Sequence, residues 1–107
     1  MKVTHTFRHM DGSNAIKEHM QQKLARLSRY EDHELSIHAN YSVERFNRNV
    51  EVTAHGAGHT FIAHETAEDM YEAIDLVVDK LDRQLNKEKS KRKHHKGNQR
   101  SMPDFSL

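Results

Sequence analysis

The run MYEAIDLVVDKLDRQL, residues 70–85, constrains this chain more than any other segment. Met70, Ile74, Val77, Val78, Leu81 and Leu85 recur at three- and four-residue steps, the spacing of a helix buried along one side. Such a helix needs an apolar layer to lie on. Its charge is also divided. Glu65 to Asp79 holds six carboxylates and no lysine or arginine, whereas Lys80 to Arg100 holds nine cations against Asp82 and Glu88, a local charge of +7. The whole chain is only +1, so the positive field is concentrated in this one segment. Acid at a helix start and base at its end suit the macrodipole, but that needs only a few charges in the last turn. The surplus points to a polyanion.

The apolar layer is supplied by strands. Lys2 to Arg8 alternates, with Val3, His5 and Phe7 on one side, and Asp11, Gly12 and Ser13 break it. Ser13 is placed to cap a helix from Asn14 to about Tyr30 with the stripe Ile16, Met20, Leu24 and Leu27. Glu31, Asp32 and His33 form a polar link. Leu35, Ile37, Ala39, Tyr41 and Val43 alternate with polar residues, followed by a turn over Arg45 to Asn49. Val50, Val52 and Ala54 make a third strand, ended by Gly56 and Gly58, and Thr60 to Glu65 a fourth. Thr66 is expected to cap the long helix. The order β-α-β-β-β-α predicts an α+β fold, a four-stranded sheet with two helices on one face. Residues 1–91 are expected to form the domain. Residues 92–107 read as a basic, disordered tail, because the apolar period stops after Lys89.

At 107 residues there is room for one core. No stretch nears the roughly 20 apolar residues of a membrane span, and MKVTHTFRHM lacks the apolar region of a signal peptide. These features place the expected protein in the cytoplasm. The absence of cysteine excludes thiol catalysis and thiolate metal sites. Ten histidines raise the question of a metal. His55, His59 and His64 around the last hairpin and His94-His95 in the tail lack the spacing of a ligand set, so no metal is expected. His5 falls on the apolar side of its strand and is expected to be hydrogen-bonded there. Asp75 and Asp79 lie one turn apart without a nucleophile or Gly-rich phosphate loop. Asp79 is expected to pair with Arg83 and Asp75 to act structurally. The chain reads as a non-enzyme with no cofactor and no small-molecule substrate.

The candidate site is basic. At 100° per residue Lys80, Arg83, Lys87 and Lys91 fall within about 80° of the long helix, with Gln84 at the edge. Lys23, Arg26 and Arg29 follow at three-residue steps on the first helix. Two helices side by side are expected to bring both rows to one electropositive groove, with Lys80, Arg83 and Lys87 pointing to solvent.

Within the long helix, Asp69-Met70-Tyr71, Ala73-Ile74-Asp75, Asp79-Lys80-Leu81, Gln84-Leu85, Lys87 and Lys89 resemble the second helix of the ribosome hibernation factors, also called ribosome-associated inhibitor or sigma-54 modulation proteins. Ser13 to Glu18, Lys23-Leu24-Ala25 and Leu27 to Tyr30 resemble that family's first helix, and the similarity covers about residues 1–95. It implies a short-form factor that binds the 30S subunit and 70S ribosome in stationary phase or stress, and blocks messenger and transfer RNA in the decoding channel. The implied contacts to 16S rRNA are Lys23, Arg26, Arg29, Lys80, Arg83, Gln84, Lys87, Lys89 and Lys91. The fold of the family is also similar to that of double-stranded RNA-binding domains. His5 departs from the family pattern, which has an aliphatic residue there. Two other functions fit the residues: a module for another structured RNA, and a regulator of transcription that docks on a protein.

Overall fold

Each strand and helix forms where its side-chain period requires, in the order β1 (Lys2–Arg8), α1 (Asn14–Leu24), β2 (Ser36–Glu44), β3 (Asn47–Gly56), β4 (His59–Ala67) and α2 (Met70–Gly97). The computed structural model describes residues 1–30, 34–56 and 58–97, with side chains through Lys89. The polar link Glu31 to His33 and the tail segment 98–107 therefore lie outside the described residues. The sheet order is β1-β2-β3-β4. β1 runs parallel to β2, reached through the α1 crossover, and the other pairs are antiparallel. The expected α+β fold, with a meander from β2 to β4, is what forms.

Ser13 caps α1 by accepting from the Ile16 amide at 3.2 Å. The expected single helix to Tyr30 instead changes pitch, becoming a 3₁₀ segment over Ala25–Tyr30. Leu24, Leu27 and Tyr30 are all buried, and residues three apart eclipse on one face at three residues per turn. The tighter winding therefore keeps this apolar line on the core. It also aligns Lys23, Arg26 and Arg29 in a second line beside it.

Thr66 does not cap α2. It lies in β4 and donates to Asn49 Oδ1 at 2.6 Å. Asp69 is the cap: its carboxylate accepts from the Tyr71 amide at 3.2 Å, and its carbonyl accepts from the Ala73 amide at 3.0 Å. Aspartate beside a helix start also meets the positive end of the dipole. At the other end the helix passes Lys91 and continues to Gly97. Cations favour the carboxyl end of a helix, and Gly97 is the first poor helix former after the long run.

One core lies between the sheet and the helices. α2 places Met70, Ala73, Ile74, Val77, Val78, Leu81 and Leu85 against Val50, Val52, Ala54 and Ala63, and α1 adds Ile16, Met20 and Leu24. Among the described residues no polar or charged side chain is fully buried. Leu35 closes the sheet's lower end so tightly that a Cβ at Gly56 would lie 2.6 Å from its Cδ2.

His5 is half-buried on the core face. Its Nδ1 lies 2.8 Å from the Tyr41 hydroxyl, and Phe7 stacks on Tyr41 at 4.6 Å. Burial, with the positive fields of Lys17 and His38, lowers the His5 pKa below 6.5, so the folded ring is neutral at pH 7. The unfolded chain then binds more protons as pH falls through about 6.5, and stability falls with it. His5→Gln keeps a polar partner for Tyr41 and removes the titration. Urea midpoints at pH 7.5 and 5.5 are expected to differ less for this variant than for the parent. An equal pH slope in both would dismiss His5 as a contributor.

Candidate nucleic-acid interface

The two basic rows do not meet in one groove. α2 packs over β3 and β4 on one flank and beside α1 on the other. Asp75, Asp79 and Asp82 lie on the α1 flank, spaced by four and three residues to match the cations there. His19 Nε2 is 2.8 Å from Asp75 Oδ1, and Lys23 Nζ is 3.7 Å from the same oxygen. Arg26 bonds Asp79 and lies 3.7 Å from Asp82. Arg29 reaches both oxygens of Asp82 at 2.9 and 3.0 Å. Burial pulls the Asp82 pKa up. Hydrogen bonding from Tyr30 and Arg29, with the charges of Arg29 and Arg26, outweighs it and holds the carboxyl below its ordinary value.

Three cations thus face three carboxylates across this interhelix seam, and their formal charges cancel. The expected electropositive groove is a closed charge seam. The expected Asp79–Arg83 pair does not form either, because Asp79 is taken by Arg26. The sequence carried a signal for this: two oppositely charged rows with helical spacing on helices read as neighbours.

Replacing Asp79 and Asp82 together by asparagine keeps the side-chain shape and leaves the seam at +2. Arg26 and Arg29 then become free for phosphates. The variant is expected to elute from heparin at higher salt than the parent. Its slope of log affinity against log salt should steepen by about 0.7 to 0.9 per phosphate gained. Unchanged elution would mean that the seam does not limit polyanion binding.

The other flank of α2 meets β4, the edge of the sheet. Lys80 Nζ bonds Glu65 Oε2 at 2.8 Å and the His64 carbonyl at 3.0 Å. Gln84 Nε2 donates to the Ile62 carbonyl at 3.0 Å. An edge strand presents unpaired carbonyls to any passing strand, and these two side chains cover them. Lys80, expected to point to solvent, is held at the edge, and its ammonium lowers the Glu65 pKa. Lys80 and Gln84 thus have work to do in the fold itself, which their position on the basic stripe did not reveal.

Arg83 and Lys87 remain. Both are exposed, and no ion-pair partner for either lies among the described residues. Lys89 turns towards the Tyr30 ring, 5.9 Å from its centroid, on the α1 side. Lys91 continues the helix, and its side chain is outside the described set. Near this end Glu88 lies 3.4 Å from His59, and His55 Nδ1 is 3.0 Å from Thr60 Oγ1. Among the described residues no three of the His, Asp or Glu side chains converge as metal ligands do. Of the cations on the two candidate rows, those left without an ion pair among the described residues lie on a ridge along the outer side of α2. Exposed cations along a ridge can hold phosphates along a backbone.

Comparison with known proteins gives the same direction. The model of the family described as sigma 54 modulation protein / S30EA ribosomal protein matches residues 3–93. The ribosome hibernation promoting factor of Azotobacter vinelandii is 37% identical over 100 residues, covering 94% of each chain. That of Escherichia coli K12 is 34% identical over 95 residues, 89% of this chain and all of the relative. Among solved structures, a ribosomal subunit interface protein from Coxiella burnetii superposes with a TM-score of 0.78 at 32% identity, covering 84% of this chain and 99% of that one. The N-terminal domain of Thermus thermophilus Protein Y gives 0.77 at 31% identity, covering 81% and 98%.

Proposed function

Because the chain belongs to the sigma 54 modulation protein / S30EA ribosomal protein family, we propose that it is a ribosome hibernation factor. In this reading it binds 16S rRNA of the small subunit, in the 30S particle and the 70S ribosome, and occupies the decoding channel. Messenger and transfer RNA are then excluded and translation is held off, in the cytoplasm, in stationary phase or stress. The observation that carries the reading is the exposed pair Arg83 and Lys87 on the outer ridge of α2, neither in an ion pair among the described residues, inside the segment that matches the family. Lys89, on the α1 side beside Tyr30, adds a cation off the ridge, and Lys91 follows it in the sequence. Lys80 and Gln84 set the height of the ridge by holding β4, and a third ammonium proton on Lys80 is left for a phosphate. Lys23, Arg26 and Arg29 add to the interface only as phosphates displace Asp75, Asp79 and Asp82 from them.

No bond chemistry is needed. Each phosphate neutralised by a cation releases condensed counterions, and the helix then blocks the channel by volume. The test is co-sedimentation of the purified protein with 30S, 50S and 70S particles through sucrose over a series of KCl concentrations. Binding to 30S and 70S that weakens linearly in log salt is expected. Binding to 50S alone would overturn the reading. Salt-insensitive binding would favour a protein-docking regulator.

A further inference from the structure

The tip of the β2–β3 hairpin has a composition that the fold does not require. The register pairs Glu44 with Asn47, leaving Arg45 and Phe46 as a two-residue turn between strands of nine and ten residues. Such turns favour glycine or asparagine where φ is positive. Here Arg45 takes that position at φ 58°, a strained conformation for a side chain of this size. Phe46 is 80% exposed, the most exposed large apolar residue described. Asn47 beside it is exposed, and Arg48 follows, paired across to Val43 and Ala67. Neither arginine has an ion-pair partner among the described residues.

A single exposed phenylalanine needs no explanation. This one stands at the tip of a two-stranded ribbon, with an amide next to it, an arginine just before it and another two residues after it. An open ring, a donor-acceptor amide and nearby guanidiniums are what recognition of an unstacked RNA base uses: a face to stack on, a group for the base edge, and charges for the flanking phosphates.

We infer that the hairpin tip is a second RNA contact, in which an unpaired nucleotide stacks its base on Phe46 and places its phosphates on Arg45 and Arg48. This inference rests on the reading that the chain binds ribosomal RNA. The two contacts are well separated. The tip lies at the end of the sheet where β4 finishes and α2 begins, whereas the cationic end of α2 lies beside His59 at the other end. At about 3.3 Å per residue, β3 puts roughly 30 Å between them. Two anchors that far apart fix the direction in which the domain lies on RNA, which one ridge alone does not.

The chain contains no tryptophan, so Phe46→Trp introduces a single reporter at the tip. Its emission is expected to be quenched by a single-stranded RNA 12-mer at low salt, as stacking on a base requires. Phe46→Ala is expected to weaken binding to 30S subunits about 5- to 150-fold, the worth of one base–aromatic stack, with the salt slope and the thermal midpoint unchanged. Arg45→Gly relieves the positive φ, so it should melt higher while its salt slope falls by about 0.7. Unaltered indole emission from the Phe46→Trp variant, or a blue shift without quenching as in an apolar protein pocket, would overturn the inference. So would 30S binding by Phe46→Ala equal to that of the parent. If Phe46→Ala binds normally while Arg83→Glu/Lys87→Glu does not, the hairpin contact falls and the ribosome reading stands. If the parent itself fails to bind 30S, both fall together.

Discussion

Ile74→Asp and Leu81→Asp are each expected to leave the chain without a cooperative thermal transition. Both side chains are fully buried, on the α2 face that covers β3 and β4, and among the described residues no charged side chain is buried in that layer. A carboxylate there is uncompensated, and burying it costs several kcal/mol whether it stays charged or takes up a proton. A domain of this size is stable by only about 5 to 15 kcal/mol, and loss of the isoleucine or leucine adds a cavity cost of about 2 to 5 kcal/mol. Leu76→Asp is the control. It lies on the same helix, 40% exposed, and is expected to melt close to the parent. Far-UV circular dichroism against temperature separates these outcomes. A parent-like melt for Ile74→Asp would mean that α2 does not form the core layer.

The apolar layer was readable in the sequence because burial repeats with the backbone period. Ile74 to Leu85 at three and four, and Leu35 to Val43 at two, specify which face is covered without any knowledge of the partner. Order and strand pairing followed from short connections between β2, β3 and β4. Polar side chains were harder to place, because their partners come from other elements. Thr66 and Asp69 are both sound caps locally. Only the pairing of Thr66 with Asn49 across β3 and β4 decides between them. Lys80 lies on the exposed side of a helical wheel, yet the edge of β4 turns it inward, and no period in α2 encodes where β4 lies. The rows Lys23, Arg26, Arg29 and Asp75, Asp79, Asp82 were each visible. Their mutual neutralisation depends on the 3₁₀ winding of residues 25–30, which lines Arg26 and Arg29 up against α2. What the sequence predicted as one groove is therefore a neutral seam and a separate ridge.

That division decides how the interface is tested. Arg83→Glu with Lys87→Glu is expected to remove 30S and 70S association and leave the melt unchanged. Both side chains are exposed and make no ion pair among the described residues, so their reversal costs the fold little. Two lost phosphate contacts reduce the slope of log affinity against log salt by about 1.4 to 1.8. The two new carboxylates also repel the phosphates they replace, so at about 0.1 M salt, where the Debye length is still about 10 Å, the binding loss should exceed that of the double alanine variant. Adding Lys80→Glu would confuse the result. The new carboxylate would face Glu65, whose present partner is Lys80 at 2.8 Å, and would leave the His64 carbonyl without its donor, so lost binding could come from a loosened β4. Lys80→Met separates these effects, since it keeps the stem on the sheet edge and removes one charge. It is expected to melt lower and to bind with a slope smaller by less than one. Sedimentation of Arg83→Glu/Lys87→Glu with ribosomes to the same extent as the parent would remove the α2 ridge from the interface.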